Sequence, residues 1–242
     1  MKTSYLVLSD GSIYPGQSFG AATDDRITVG EVVFATSMTG YQEMLTDPSF
    51  AGQILVPTYP LQGNYGTSSE DVESSKIQVS GFAVRDISST PSHYNNIGDI
   101  DSYLRGEGIL GIWGIDTRAV ARRIRSQGVM MGAISTGSPE KALENIRQAP
   151  AYDSLDFVSA VTTSAPYEHN PSGSPHVAII DCGLKRNIVR ELVGRGCHVT
   201  VLPAHASAQD VMLLQPDSVL FSPGPGDPVH NIATVETAKT LI

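Results

Sequence analysis

From His176 to the end of the chain, apolar runs and amphipathic stretches alternate with a regularity that admits few folds. His176-Val177-Ala178-Ile179-Ile180-Asp181 reads as a buried strand, Lys185 to Gly194 as a helix, His198 to Leu202 as a strand, Ser207 to Leu214 as a helix, Ser218 to Phe221 as a strand and Thr234 to Ile242 as a helix. That alternation predicts a parallel sheet with crossover helices. The last strand runs into the loop Ser222-Pro223-Gly224-Pro225-Gly226-Asp227-Pro228. Glycines at the carboxyl end of a parallel strand let backbone N–H groups come close to a ligand, and open α/β sheets bind anionic or carbonyl oxygens there. Taken alone, the loop is equally an ordinary turn after a strand. Three βα units in about 67 residues are few for a free-standing doubly wound domain, because such a sheet needs both faces and both edges covered. The expectation is a domain cut short, with the Ser218 strand as an unpaired edge and a tendency to associate or to be poorly stable.

The upstream sequence obeys a different grammar. Tyr5-Leu6-Val7-Leu8, the turn dipeptide Asp10-Gly11 and the returning Ile13-Tyr14 predict a hairpin. Glu31 to Phe34, Gln53 to Val56 and Ile77 to Val84 are further strands by their β-branched and aromatic content. Helices follow: one begins at Ile115-Asp116-Thr117, buries Val120 and Ile124 and stops at Gly128, and another begins at Ser138-Pro139-Glu140 with proline in the first helical position. Met130-Met131 lies in a short apolar strand and reads as core. Residues 162–175 carry turn formers without periodicity and read as a linker. The fold class is therefore α/β: a mixed, β-rich N-terminal domain over 1–150, a connecting segment over 151–175, and over 176–242 the first three βα units of a doubly wound parallel-sheet domain.

Charge and composition narrow the function. A net charge of −9 repels phosphate backbones. The one basic cluster, Arg118, Arg122, Arg123 and Arg125, lies on a single short helix without interleaved aromatics, and reads as a solvated or partner-facing surface rather than a nucleic-acid stripe. The segment Met1 to Tyr5 has no signal-peptide apolar core, and no run approaches the ~20 apolar residues of a membrane span. With only Cys182 and Cys197 present, the cysteines read as reduced thiols of a cytoplasmic protein. The histidines His93, His169, His176, His198, His205 and His230 show no metal-ligand spacing. Neither the glycine pattern of a dinucleotide fingerprint nor that of a P-loop occurs.

The run Gly30-Glu31-Val32-Val33-Phe34-Ala35-Thr36-Ser37-Met38-Thr39-Gly40-Tyr41-Gln42-Glu43-Met44-Leu45-Thr46-Asp47-Pro48-Ser49-Phe50 closely resembles the N-terminal domain of the small, glutamine-hydrolysing subunit of carbamoyl-phosphate synthases. Tyr59 to Gly66, Gly114 to Arg118, Asp181 to Ile188 and Ser222 to Pro228 continue the resemblance in order along the chain. It implies a subunit whose class I glutamine amidotransferase domain hydrolyses L-glutamine and passes ammonia to a large subunit. That partner makes carbamoyl phosphate from bicarbonate for arginine and pyrimidine synthesis. It also implies no cofactor in this subunit, ATP and Mg being used by the partner; the charge and the lack of a long apolar run argue against nucleic acid and membrane as binding partners. Ser49 matches the family serine that hydrogen-bonds the substrate from the first domain, and Gly224 and Gly226 match the glycines whose backbone contacts it. Such positions suit a tetrahedral intermediate, where one N–H donor aimed at the oxyanion is worth roughly 3 to 4 kcal/mol.

The family's nucleophile is a cysteine on a sharp turn after the next strand, completed by a later histidine and glutamate. None of these motifs occurs in the 242 residues, so no catalytic residue is assigned here and the chain by itself is expected to be inactive. Cys182, between Asp181 and Gly183 at the end of the first parallel strand, lies one crossover too early and lacks small residues on both sides. It and Cys197 read as small buried side chains. Two alternatives stay open: a non-catalytic docking module for the large subunit, and a nucleotide-binding α/β domain unrelated to amidotransferases.

Overall fold

The computed structural model describes residues 3–242, so the sequence reading at Met1 and Lys2 lies outside the described residues. The chain divides into a first unit that ends at Tyr152 and a second that spans Asp153–Ile242.

The first unit contains β1 (Thr3–Leu8), β2 (Ile13–Gly20), β3 (Ile27–Ala35), α1 (Tyr41–Thr46), β4 (Gln53–Pro57), β5 (Leu61–Gln62), β6 (Gly81–Ala83), β7 (Asp86–Ile87), α2 (Ile100–Gly106), β8 (Leu110–Trp113), α3 (Thr117–Gln127), β9 (Met130–Ser135) and α4 (Pro139–Gln148). Seven of the strands close into a barrel in the order β1-β2-β8-β6-β4-β3-β9. The period-two pattern explains both faces of its wall. Leu6, Leu8, Ile54, Val56 and Ile134 share one cluster with Val120 and Ile124 of α3. Their neighbours point the other way: Val7 and Ala133 pack with Ala142 and Ile146 of α4, and Leu55 packs with Tyr41 and Leu45 of α1.

Local signals placed the hairpin and the later helices well. β1 and β2 pair antiparallel from Thr3↔Gln17 to Val7↔Ile13. Asp116 caps α3 by accepting from the Ala119 N–H at 2.9 Å, and Ser138 caps α4 through the Lys141 N–H at 3.2 Å. The strand expected over Ile77 to Val84 is corrected to Gly81–Ala83. Gln78 and Ser80 instead donate their N–H groups to the carbonyls of Leu45 and Gln53, an irregular path that still buries Ile77 and Val79.

The second unit contains α5 (Val158–Val161), β10 (Tyr167–His169), β11 (His176–Asp181), α6 (Arg186–Gly194), β12 (His198–Pro203), α7 (Ala208–Leu213), β13 (Ser218–Phe221) and α8 (Ile232–Leu241). Its sheet has the order β10-β12-β11-β13, with β11 parallel to both β12 and β13. β10 is a correction to the linker reading. Residues 167–169 pair antiparallel with β12, from Tyr167↔Val201 to His169↔Val199, so this segment caps one edge of the sheet. Among the described residues β13 pairs only with β11, leaving its outer edge unpaired, with Ser218 and Phe221 exposed and Val219 and Leu220 half-buried. No described helix is long and apolar enough to cross a membrane.

Candidate functional site

In the first unit, the residues around Ser49 form a platform held by buried polar side chains. The Tyr41 ring, 1% exposed, stacks on Tyr65 with centroids 4.1 Å apart and planes inclined by 18°. The Tyr65 hydroxyl accepts from the N–H groups of Gly40 at 2.7 Å and Tyr41 at 3.0 Å, satisfying donors that the start of α1 leaves unpaired. The Tyr41 hydroxyl in turn donates to the Gly66 carbonyl. Gln42 is paired reciprocally with Ser68: its Nε2 donates to the Ser68 carbonyl at 2.7 Å and its Oε1 accepts from the Ser68 N–H at 2.7 Å. Thr46 closes the frame, its Oγ1 accepting from the Glu73 N–H at 2.8 Å and donating to the Gln42 carbonyl at 2.9 Å.

That frame ends in a 3-10 turn over Pro48–Phe50, where the Asp47 carboxylate accepts from the Ser49 N–H at 2.9 Å. The Ser49 backbone is thereby fixed while its half-buried hydroxyl makes no hydrogen bond among the described residues. A hydroxyl so placed can both donate and accept. Next to this frame, Oε2 of Glu43 is buried without a hydrogen-bond partner among the described residues. Burial pushes the Glu43 carboxyl above its ordinary range, and the charges of Asp71 and Glu73 push it further in the same direction.

In the second unit, the loop after β13 is fastened to the turn after β11. Oδ1 of Asp181 accepts from the N–H groups of Gly183 at 2.9 Å and Leu184 at 2.7 Å, while Oδ2 accepts from the Thr163 N–H at 2.8 Å. Ser222 makes the cross-link: its N–H donates to the Ile180 carbonyl at 3.0 Å, its Oγ accepts from the Cys182 N–H at 2.9 Å, and the same Oγ donates to the Pro223 carbonyl at 2.8 Å.

The two glycines are required for different reasons. A Cβ on Gly224 would lie 2.0 Å from the Cys182 carbonyl oxygen, so the absence of a side chain there is demanded first by close main-chain packing. Gly226 has φ +75° and open space around the position of a Cβ, so its demand is conformational. Asp227 then caps the next turn by accepting from the Val229 N–H at 2.9 Å.

Cys182 is the hub of this arrangement. Its side chain is 6% exposed, and its Sγ lies 3.8 Å from the Thr234 hydroxyl, which donates to the Ala204 carbonyl at 2.8 Å. Burial pushes its thiol above the ordinary range, against a smaller opposing pull from the Thr234 hydrogen bond. Burial and a raised thiol both disfavour the thiolate form, which is the reactive one. Cys197 is buried too, packed with Val199 and Val201, so both cysteines sit as the sequence suggested.

Gly224 and Gly226 therefore share one pinned loop in the second unit, and Ser49 tops a rigid frame in the first. The anchors Asp181, Ser222 and Thr234, and the frame residues Tyr41, Gln42, Thr46 and Tyr65, were not singled out from sequence. A cavity of about 170 Å³ in the second unit is lined by Asp156, His205, His230, Asn231 and Thr234, none of them a predicted site residue.

Residues 6–134 match the family described as "Carbamoyl-phosphate synthase small chain, CPSase domain", and residues 178–242 match "Glutamine amidotransferase class-I". A carbamoyl phosphate synthase small chain of Methanopyrus kandleri is 45% identical over 243 residues, covering 98% of this chain and 66% of that protein. The small chain of Syntrophotalea carbinolica is 46% identical over 92% of this chain and 63% of its own length. The small chain of Synechocystis sp. is 44% identical over 100% of this chain and 67% of its own length. The chain thus spans about two thirds of the length of the curated relatives it matches.

Proposed function

The chain belongs to the carbamoyl-phosphate synthase small-chain family, and from that premise we propose that it serves glutamine-dependent carbamoyl phosphate synthesis by holding L-glutamine for hydrolysis and delivering the ammonia to a large, ATP-using chain in the cytoplasm, for arginine and pyrimidine synthesis. The observation that carries this reading is the pinned loop after β13. Its main chain is fixed by Ser222 and Cys182 before any ligand arrives, and preorganised donors are what a developing oxyanion needs. Gly224 and Gly226 offer main-chain contacts to glutamine, and the unengaged hydroxyl of Ser49 supplies a side-chain contact. ATP and Mg belong to the partner's half of the reaction, and this subunit uses no cofactor.

These 242 residues supply the substrate contacts without the thiolate. Both cysteines are buried, and neither a Gly-x-Cys-x-Gly turn nor a His-x-Glu pair occurs in them. Incubated alone with glutamine, the 242-residue chain releases no ammonia above a Ser49→Ala control.

Amide NMR of the chain titrated with L-glutamine tests the binding half. Shifts at Ser49, Gly224 and Gly226 that D-glutamine does not reproduce are the expected result. Their absence at millimolar glutamine would remove the substrate assignment, and ammonia release by the chain itself would remove the division of labour. Gly224→Val is unsuitable as a binding control, because its clash with the Cys182 carbonyl disturbs the loop whatever the ligand does.

A further inference from the structure

The helix α3 carries Arg118, Arg122, Arg123 and Arg125 and no acidic residue, on a chain whose net charge is −9. Its buried face is accounted for by Val120 and Ile124, which pack into the barrel core. Its outer face is not. All four arginines are exposed, and among the described residues only Arg123 is engaged by a carboxylate, its Nε lying 2.6 Å from Oδ2 of Asp10 in the β1–β2 turn. Arg122 and Arg125 have no carboxylate partner among the described residues.

Between this face and the β1–β2 hairpin runs an open groove of about 640 Å³, lined by Ser12, Tyr14, Arg122, Arg123, Arg125 and Ser126. One basic residue in the last turn of a helix complements the negative end of its dipole, which explains Arg125. It does not explain Arg122, a turn earlier, set with it along a groove furnished with two hydroxyls and an aromatic ring. Tyrosine and arginine together are the side chains that protein interfaces favour, and guanidinium groups pair with carboxylates in a planar, two-pronged fashion. The groove is wide and shallow, which suits a protein segment better than an enclosed small molecule.

We propose that this arginine-lined groove is the docking surface for an acidic segment of the large, ATP-using partner chain. The inference rests on the partner named under the proposed function and assigns the surface that meets it. Charge selects the occupant: on an acidic chain this local positive face attracts a carboxylate-rich surface over a neutral one and speeds its encounter.

The test is binding of the 242-residue chain to the purified large chain of the same organism, measured by biolayer interferometry from 20 to 300 mM salt. Arg122→Glu combined with Arg125→Glu weakens binding by about tenfold or more at low salt and flattens its salt dependence. Arg122→Lys with Arg125→Lys keeps the charge but not the two-pronged pairing, so it weakens binding less than the double reversal and leaves the salt dependence in place. Arg147→Glu on α4, a single such reversal at another exposed position, leaves binding unchanged. If the double reversal fails to fold by circular dichroism, Arg122→Gln with Arg125→Gln carries the test, with a smaller loss in the same direction.

Wild-type affinity in the folded reversed variant overturns the surface while leaving the partner reading intact. Absence of wild-type binding at every salt concentration overturns the partner reading, and this inference with it. A wild-type homodimer that the reversal dissolves assigns the groove to a second copy of the chain and overturns the proposal.

Discussion

The barrel and the parallel sheet treat their edges in opposite ways. In the first unit, every barrel strand has a neighbour on both sides, so the barrel itself leaves no open edge among the described residues. In the second, β10 covers the β12 edge, whereas β13 has a partner only in β11 among the described residues. The contrast extends to side chains. α8 meets its own unit through threonines, Thr234 and Thr237 donating to the carbonyls of Ala204 and Ala206, while Ile232 is 69% exposed. A closed wall leaves the barrel without an open edge, and the turn carrying Ser49 is held by side chains. The second unit fastens the loop after β13 through the one side chain of Ser222 to the end of β11, beside an open sheet edge.

The strongest way to break this contrast is Gly224→Val. With a Cβ at 2.0 Å from the Cys182 carbonyl, the variant loses about 3 kcal/mol of stability in the second unit and none in the barrel. Hydrogen exchange resolved by residue reads this directly, and equal losses in both units would contradict it.

In the unaltered protein the same experiment sharpens the comparison: amides of β13 exchange about a hundredfold faster than those of β3 and β4. Similar protection in the two would mean that the unpaired edge carries no penalty.

On the barrel side, Gln42→Leu strands both the N–H and the carbonyl of Ser68 in a buried place and costs about 2 kcal/mol by denaturant titration. The loss falls in the first unit alone. Ser222→Ala is milder, about 1 kcal/mol, because it removes only the hydroxyl's bonds to the Cys182 N–H and the Pro223 carbonyl and leaves the Ser222 main chain bonded to Ile180. Its signature is increased exchange at Pro225-flanking amides such as Gly224 and Gly226.

The smallest effect is a pH dependence in the barrel. Because burial raises the Glu43 carboxyl above its ordinary value of 4.5 in the folded state, the protonated form is favoured there. The stability it contributes is full below the unfolded value and is lost as pH rises through the folded one. Glu43→Gln therefore melts slightly higher than wild type at pH 7, and the advantage shrinks as the pH falls through the raised folded value and is gone below 4.5. An advantage that does not change with pH would assign the effect to something other than the carboxyl charge.

What sequence could disclose depended on how local the cause was. Asp116, Ser138 and Pro139 announce their helices because a cap acts over three residues. The alternation after His176 discloses β11, β12 and β13 for the same reason. Barrel closure was hidden, since it rests on pairings such as the parallel register Glu31↔Gln53 and the antiparallel register Gly30↔Gly132, which no local pattern encodes. β10 was hidden because a short, exposed strand with turn formers on both sides owes its conformation to β12.

At the candidate site, Ser49, Gly224 and Gly226 were named through resemblance, while their supports went unnoticed. Ser222 grips a residue 40 positions earlier and Gln42 one 26 positions later, distances at which spacing carries no message.

The Ser222–Cys182 fastening has a practical side. Since the proline-glycine loop takes its position from the end of the neighbouring strand, the two behave as one mechanical component. Anyone transplanting that loop into another parallel-sheet domain would need to graft the turn after β11 with it, or the donor piece will settle wherever its new host lets it.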